Sequence, residues 1–132
     1  MSFWIVTDVG SDMSMDFYKR YEKLKVLPMM FRMDGQEKPY NVEDEPLLGS
    51  FYRKLREGHQ ASTAAVPVDD AVRVFEEIVK EGEPLIYITL SSGLSASIQS
   101  GELAAKMLLE KYPKARISVV DSLLASGGQL LM

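Results

Sequence analysis

The sequence contains no cysteine, a single histidine and a single tryptophan. The missing cysteines exclude disulfides and thiolate metal sites, and their absence fits a cytoplasmic protein. His59 lies in a polar segment and no G-x-S-x-G elbow is present, so a Ser-His-acid hydrolase has no base to use; His59 reads as a solvated loop residue. Positive charge is also scarce: 15 Lys and Arg stand against 19 Asp and Glu, a net charge of −4. That balance argues against a nucleic-acid partner, which needs a basic face. No apolar run reaches the length of a membrane span, and the first ten residues lack the basic start of a signal peptide. Neither glycine-rich nucleotide cradle occurs. Any metal site would have to be all oxygen, and Asp8 with Asp12 is a weak pair for that. No cofactor and no metal are expected.

What is present is a chain of 132 residues, 46% of them apolar, enough for one domain with a core. Its eight methionines read mostly as adaptable core filler, with a flexible apolar ligand surface as the sharper alternative. Residues 3–8 (FWIVTD), 84–90 (PLIYITL) and 115–122 (ARISVVDS) read as buried strands. LKVLPMMFRMDG reads as another, with Pro28 marking it as an edge strand or an irregular segment. Between them, 14–23, 46–57, 68–81 and 95–112 read as helices. On the third, Val68, Val72, Phe75 and Val79 should share a face; on the fourth, Ile98, Gly101, Ala105 and Leu108, with small residues allowing close approach. Residues 35–45 read as an acidic turn and 59–67 (HQASTAAVP) as a loop. Strands alternating with helices imply a parallel sheet with crossover helices. The expected architecture is a three-layer α/β/α domain around a mostly parallel four-stranded sheet. The segment GGQLLM supplies no helix stop, and the chain reads as cut inside an element.

Three strand ends carry the polar chemistry: Asp8, Gly10, Ser11 and Asp12 after the first; Ser91, Ser92, Gly93 and Ser95 after the third; Asp121, Ser122 and Ser126 after the last. In a parallel sheet these ends share one edge, where ligands bind. Serine hydroxyls, free N–H groups at a helix start and a glycine without a Cβ suit an anion, carboxylate or phosphate. The plain alternative makes Ser95 a helix cap and Gly93 a turn residue. A small phosphate-dependent α/β enzyme using strand-end Ser and Asp residues is the rival reading, and a fragment with an exposed apolar face and no ligand is a third.

IVTDVGSDM, LSSGLSASIQSGELAA and ISVVDSLLASGGQLL, in this order, resemble the DegV family. The resemblance covers the whole chain but only the N-terminal half of the family's length, so 1–132 would be its N-terminal domain with the C-terminal domain absent. It implies a carrier, without catalysis of its own, that binds one long-chain fatty acid such as palmitate between two domains. It further implies a fatty-acid kinase as partner and a link to bacterial phospholipid synthesis. By position, the carboxylate would be held by Thr63 with Ser62, and by Ser92 with Ser91, Gly93 and Ser95. Asp8, Gly10, Ser11, Asp121 and Ser126 would support them. Ala64, Ala65 and Val66 replace the family's Ser-Gln-Pro, and Leu124 stands where a small or polar residue is commoner. Met29, Met30, Phe31, Ile98 and Leu123 are the candidate walls for the acyl tail.

Overall fold

A computed structural model describes residues 2–132. The chain runs β1 (Trp4–Asp8), α1 (Met15–Tyr18), β2 (Leu24–Leu27), β3 (Met29–Met33), β4 (Gln36–Tyr40), α2 (Leu48–Arg56), β5 (Ala61–Ala64), α3 (Val68–Val79), β6 (Leu85–Thr89), α4 (Ser97–Lys111), β7 (Ile117–Asp121) and α5 (Ser126–Leu130). The main sheet has the order β2-β1-β6-β7. All three of its pairings are parallel, with Val6 opposite Tyr87 and Tyr87 opposite Val119. The alternation of strand and helix therefore produces the α/β fold it implies.

Helices α3 and α4 cover one face. Val6, Tyr87 and Leu85 point into it and meet Phe75, Ile78, Ala104 and Leu108 in the core. The approach of α4 depends on Gly101: a Cβ there would lie 2.5 Å from the Tyr87 ring and 3.3 Å from Val119. The core face of α3 is rotated from the expected one. Ala71, Val74, Phe75, Ile78 and Val79 are buried, whereas Val68 and Val72 are half-buried. Ala71 is fully buried, and a reading by the large apolar residues passes over it. On α4, Ser97, Gly101, Ala104, Ala105 and Leu108 are buried, and Ile98 only half so.

The opposite face of the sheet is thinly covered. Among the described residues the helices that border it are the short α1 and α5, leaving a cleft of about 320 Å³ lined by residues including Phe3, Ile5, Phe17, Ile88 and Leu130. Ile5 and Val120 are each 36% exposed, although Val6 beside Ile5 is fully buried.

Two strands were not expected. Residues 35–45 contain β4, and the 59–67 segment contains β5; both pair antiparallel with β3 in a second sheet, order β4-β3-β5. The β3–β4 turn is Asp34-Gly35, at φ 55° and 75°, the left-handed pair that a two-residue hairpin requires. Polar, largely exposed strands such as β4 and β5 leave no apolar alternation to read. Pro28 divides β2 from β3 where the chain passes between sheets, and β2 is an edge strand as expected. His59 is exposed in its loop but not free: its Nδ1 lies 2.6 Å from Asp34 Oδ1. The acidic run is likewise employed, Asp44 in a capping box with Asn41 and Glu45 accepting from the Met15 N–H. Helix α1 is one turn, shorter than the 14–23 reading, although Ser14 does cap it.

Candidate functional site

The carboxyl edge of the main sheet gathers the loops after β1, β6 and β7. The loop after β6, Leu90–Ala96, carries most of the hydroxyls. Its N–H groups from Leu90 to Ser95 are all hydrogen-bonded within the fold. Leu90 N–H donates to Asp8 Oδ2 (3.1 Å), Ser91 N–H to Leu124 O (2.9 Å) and Ser92 N–H to Asp121 Oδ1 (3.2 Å). Gly93 N–H donates to Ser91 Oγ, and Leu94 and Ser95 N–H both donate to Ser91 O. The N–H groups from 90 to 95 are therefore spent within the fold, and from Leu90 to Ser95 the loop offers an incoming anion its hydroxyls; free N–H groups of the kind expected at the helix start can lie only beyond Ser95.

Of these, Ser92 is exposed and Ser91 half-buried. Ser95 serves the start of α4: its Oγ accepts from Ser97 N–H (3.2 Å) and lies 2.8 Å from Ser97 Oγ. Ser95 is not the N-cap, as the plain alternative has it: Ala96 holds that position without a side-chain cap bond, and Ser95 braces the first helical N–H from one residue earlier. Ser97, buried and not singled out in the sequence, accepts from the Val66 N–H (3.1 Å) and so pins the end of the Ala61–Val66 segment to the start of α4. Thr63 and Ser62 lie on β5, both exposed, opposite Phe31 and Arg32 of β3. Ser97 thus brings the Thr63 segment and the Ser91–Ser95 loop to a common anchor, but no hydrogen bond joins Thr63 or Ser62 to Ser92 among the described residues.

Gly93 has an ordinary φ, and a Cβ there would meet only Ser91 Oγ, at 3.5 Å. Gly10 differs: a Cβ would fall 2.8 Å from Asp8 Oδ1 and 3.2 Å from Leu90. Ser11 is buried, its hydroxyl donating to Asp8 O (2.9 Å). Asp12 is an exposed residue at φ 52° that closes the turn.

Two carboxylates brace the edge. Asp8 is fully buried and accepts four hydrogen bonds: Tyr87 Oη (3.0 Å) and Leu90 N–H on Oδ2, Gly10 N–H (3.0 Å) and Gln129 Nε2 (3.1 Å) on Oδ1. It has no free lone pair facing solvent and is not placed to act as a nucleophile or base. Burial and the adjacent Asp8 push the Tyr87 phenol well above its ordinary value, so it remains a donor. Asp121 accepts from Ser92 and Leu123 N–H (2.9 Å). The Ser92 hydroxyl first, then these N–H groups, hold its carboxyl below the usual carboxylate range. Leu123 and Ser126 adopt left-handed φ of 56° and 52°, a strained backbone for side-chain-bearing residues. Leu123 projects, 73% exposed, beside Leu124 at 44%, and Leu94 in the loop after β6 is 71% exposed. The other candidate wall residues, Met29, Met30, Phe31 and Ile98, are half-buried. No cluster of three metal-ligating side chains occurs among the described residues.

Gln129 was missed. It is 2% exposed and its amide reaches Thr7 Oγ1 (3.0 Å), Asp8 Oδ1 and Ile88 O (3.4 Å). The one signal for it was its isolation, a lone amide in LLASGGQLLM.

Comparison with known proteins places this edge in context. Residues 2–132 match the model of the family described as "Uncharacterised protein, DegV family". A DegV domain-containing protein of Clostridium perfringens is 38% identical over 130 residues, covering 98% of this chain and 44% of that protein. A DegV family protein from Thermus thermophilus, described by its fatty acid binding, is 28% identical, with a TM-score of 0.77 over 99% of this chain and 44% of that one. A stearic acid-binding protein from Eubacterium ventriosum shares the fold at a TM-score of 0.86 and 23% identity, over 98% of this chain and 44% of that one. The Streptococcus pneumoniae fatty acid kinase B3 protein loaded with linoleic acid does so at 0.71 and 23%, over 96% and 43%. The chain spans a little under half the length of each of these proteins.

Proposed function

The chain belongs to the DegV family, and from that premise we propose that it contributes the head-group half of a long-chain fatty-acid site. In this reading residues 2–132 act as the N-terminal domain of a cytoplasmic, non-catalytic carrier. Thr63 and Ser92 donate hydroxyl hydrogen bonds to the acyl carboxylate, Ser92 by turning its hydroxyl away from Asp121, with Ser62 and Ser91 beside them. The single observation that carries the reading is the exposed Ser92 side chain on a loop whose N–H groups from Leu90 to Ser95 are spent internally, at the sheet edge where ligands bind in open α/β sheets. Related proteins described as binding fatty acids support the ligand class, and the fatty acid kinase B3 protein supports a kinase as the partner that receives the acyl chain.

The energetics divide accordingly. Hydroxyl hydrogen bonds to a carboxylate are charge-assisted and fix the head group. About a dozen buried methylenes at ~0.8 kcal/mol each supply roughly 10 kcal/mol before ordering costs, so the tail dominates affinity. Exposed Leu94, Leu123 and Leu124 beside the serines offer an apolar start for that tail.

Native mass spectrometry of the purified protein, followed by solvent extraction and lipid analysis, tests the proposal. A co-purifying long-chain fatty acid, or saturable binding of added palmitate, is expected. A protein that is isolated empty and fails to bind palmitate would overturn the reading for this chain.

A further inference from the structure

Gln129 stands outside the residues that the proposed function uses, yet it is among the most buried polar side chains in the molecule. Its orientation is dictated by its neighbours. Asp8 Oδ1 and Ile88 O are acceptors only, and Thr7 Oγ1 gives its own hydrogen to Ile88 O (2.9 Å). The amide must therefore present Nε2 to them; the flipped amide would set oxygen against oxygen. Its Oε1 is left without a partner, so the amide is retained here at the cost of an orphaned acceptor.

What Nε2 secures is Asp8. Oδ1 is held by Gln129 and Gly10, which fixes Oδ2 toward Tyr87 and the Leu90 N–H. Leu90 is the residue at which β6 hands over to the hydroxyl loop. Two residues on, Ser92 N–H is fixed by the second carboxylate, Asp121. The Ser92 hydroxyl is thus presented between two carboxylate anchors, one of them set by an amide from α5.

We propose that Gln129 is a positioning residue which, through Asp8 and the Leu90 N–H, sets the conformation of the Leu90–Ser95 loop that presents the Ser92 hydroxyl. The inference rests on the reading of Ser92 as a head-group ligand for its functional consequence, though not for its structural one. It also ties α5 to the binding loop, so that a displacement of α5 changes the loop as well as the far face of the sheet.

The test uses Gln129→Glu and Gln129→Met in the full chain, with palmitate as the probe. At pH 8 the introduced carboxylate of Gln129→Glu faces Asp8 Oδ1, and like charge plus burial raises its pKa. Once protonated, its O–H donates to Asp8 as the amide does. Amide hydrogen exchange at Ser91–Gly93, normalised to the intrinsic rate at each pH, should lose about tenfold of its protection at pH 8 and recover toward wild type near pH 6. Palmitate affinity, measured beside wild type at each pH, should follow the same course. Gln129→Met keeps the bulk without the donor and should show the loss at both pH values. Wild-type protection and affinity in both variants would overturn the proposal. So would a loss of protection shared equally by core amides such as Ile78 and Leu108, since that marks a general structural role. If wild type binds no palmitate the functional reading falls, and the exchange data alone decide the positioning role.

Discussion

At the scale of single residues, two glycines that look equivalent in the sequence behave differently. Gly10 closes against Asp8 and Leu90, where a Cβ would fall 2.8 Å from a carboxylate oxygen. Gly93 has room for one. Gly10→Ala should therefore lower stability and loosen the site, whereas Gly93→Ala should leave the urea midpoint near that of wild type. A reversal of that order would refute the assignment. Gly101→Ala drives a methyl into the Tyr87 ring, and overpacking of this kind costs about 1–3 kcal/mol. Chemical denaturation reads that cost directly. Ser92→Ala and Thr63→Ala are expected to weaken palmitate binding several-fold without a matching loss of stability, because both side chains are exposed. Unchanged affinity in both would remove them from the site.

At the scale of elements, α3 and β5 show how much context decides. Helix α3 carries its own start and stop, with Asp69 and Asp70 in the first turn and Gly82 at φ 78° after the end. Which stripe faces the core depends on α4, against which it packs. Phe75, fully buried against Tyr87, should cost about 3–5 kcal/mol when truncated to alanine, whereas Val72→Ala should cost much less. Strand β5 has no buried residue and exists because β3 offers it an edge. Its start is held near the β3–β4 turn by the His59–Asp34 pair. Asp34→Ala should increase amide exchange through Ala61–Ala64 more than through β6, and equal exchange in the two strands would show that the clasp does not hold β5.

At the scale of the whole molecule, the two faces of the main sheet make different stability predictions. Val6 is fully buried beneath α3 and Ile5 lies on the thinly covered side. Val6→Ala should destabilise by about 1–3 kcal/mol, and Ile5→Ala by clearly less despite removing more carbon. The pH profile follows from the perturbed groups. Asp34, with His59 beside it, Glu76, with Lys111 and Tyr112, and Asp121, with Ser92, are all held below their usual range. A depressed carboxyl stabilises fully above its unfolded value, about 4, and loses that contribution as pH falls through the lower folded value. Tyr87 is the opposite case: its raised phenol favours the fold below about pH 10, and the advantage is lost as pH rises further. Urea midpoints should fall below about pH 4 and above about pH 10. A midpoint that rises on acidification would contradict these pairings.

The sequence by itself determined the main sheet, its crossover helices and the edge where polar chemistry collects. Those depend on apolar runs, helical periodicity and punctuation by glycine, all local properties of the chain. It also disclosed Thr63 and Ser92 as candidates, through motif order. Tertiary structure alone decided the second sheet, since β4 and β5 carry no apolar alternation and are specified by the hydrogen-bonding edge of β3. It decided as well that the loop's N–H groups point inward. Leu90, Ser91 and Ser92 donate to acceptors on Asp8, Leu124 and Asp121, far away in the chain. The partner of a backbone N–H is set by what the fold brings within 3 Å, so Asp8 is legible as an acid at a strand end but not as the buried acceptor that holds the loop in place.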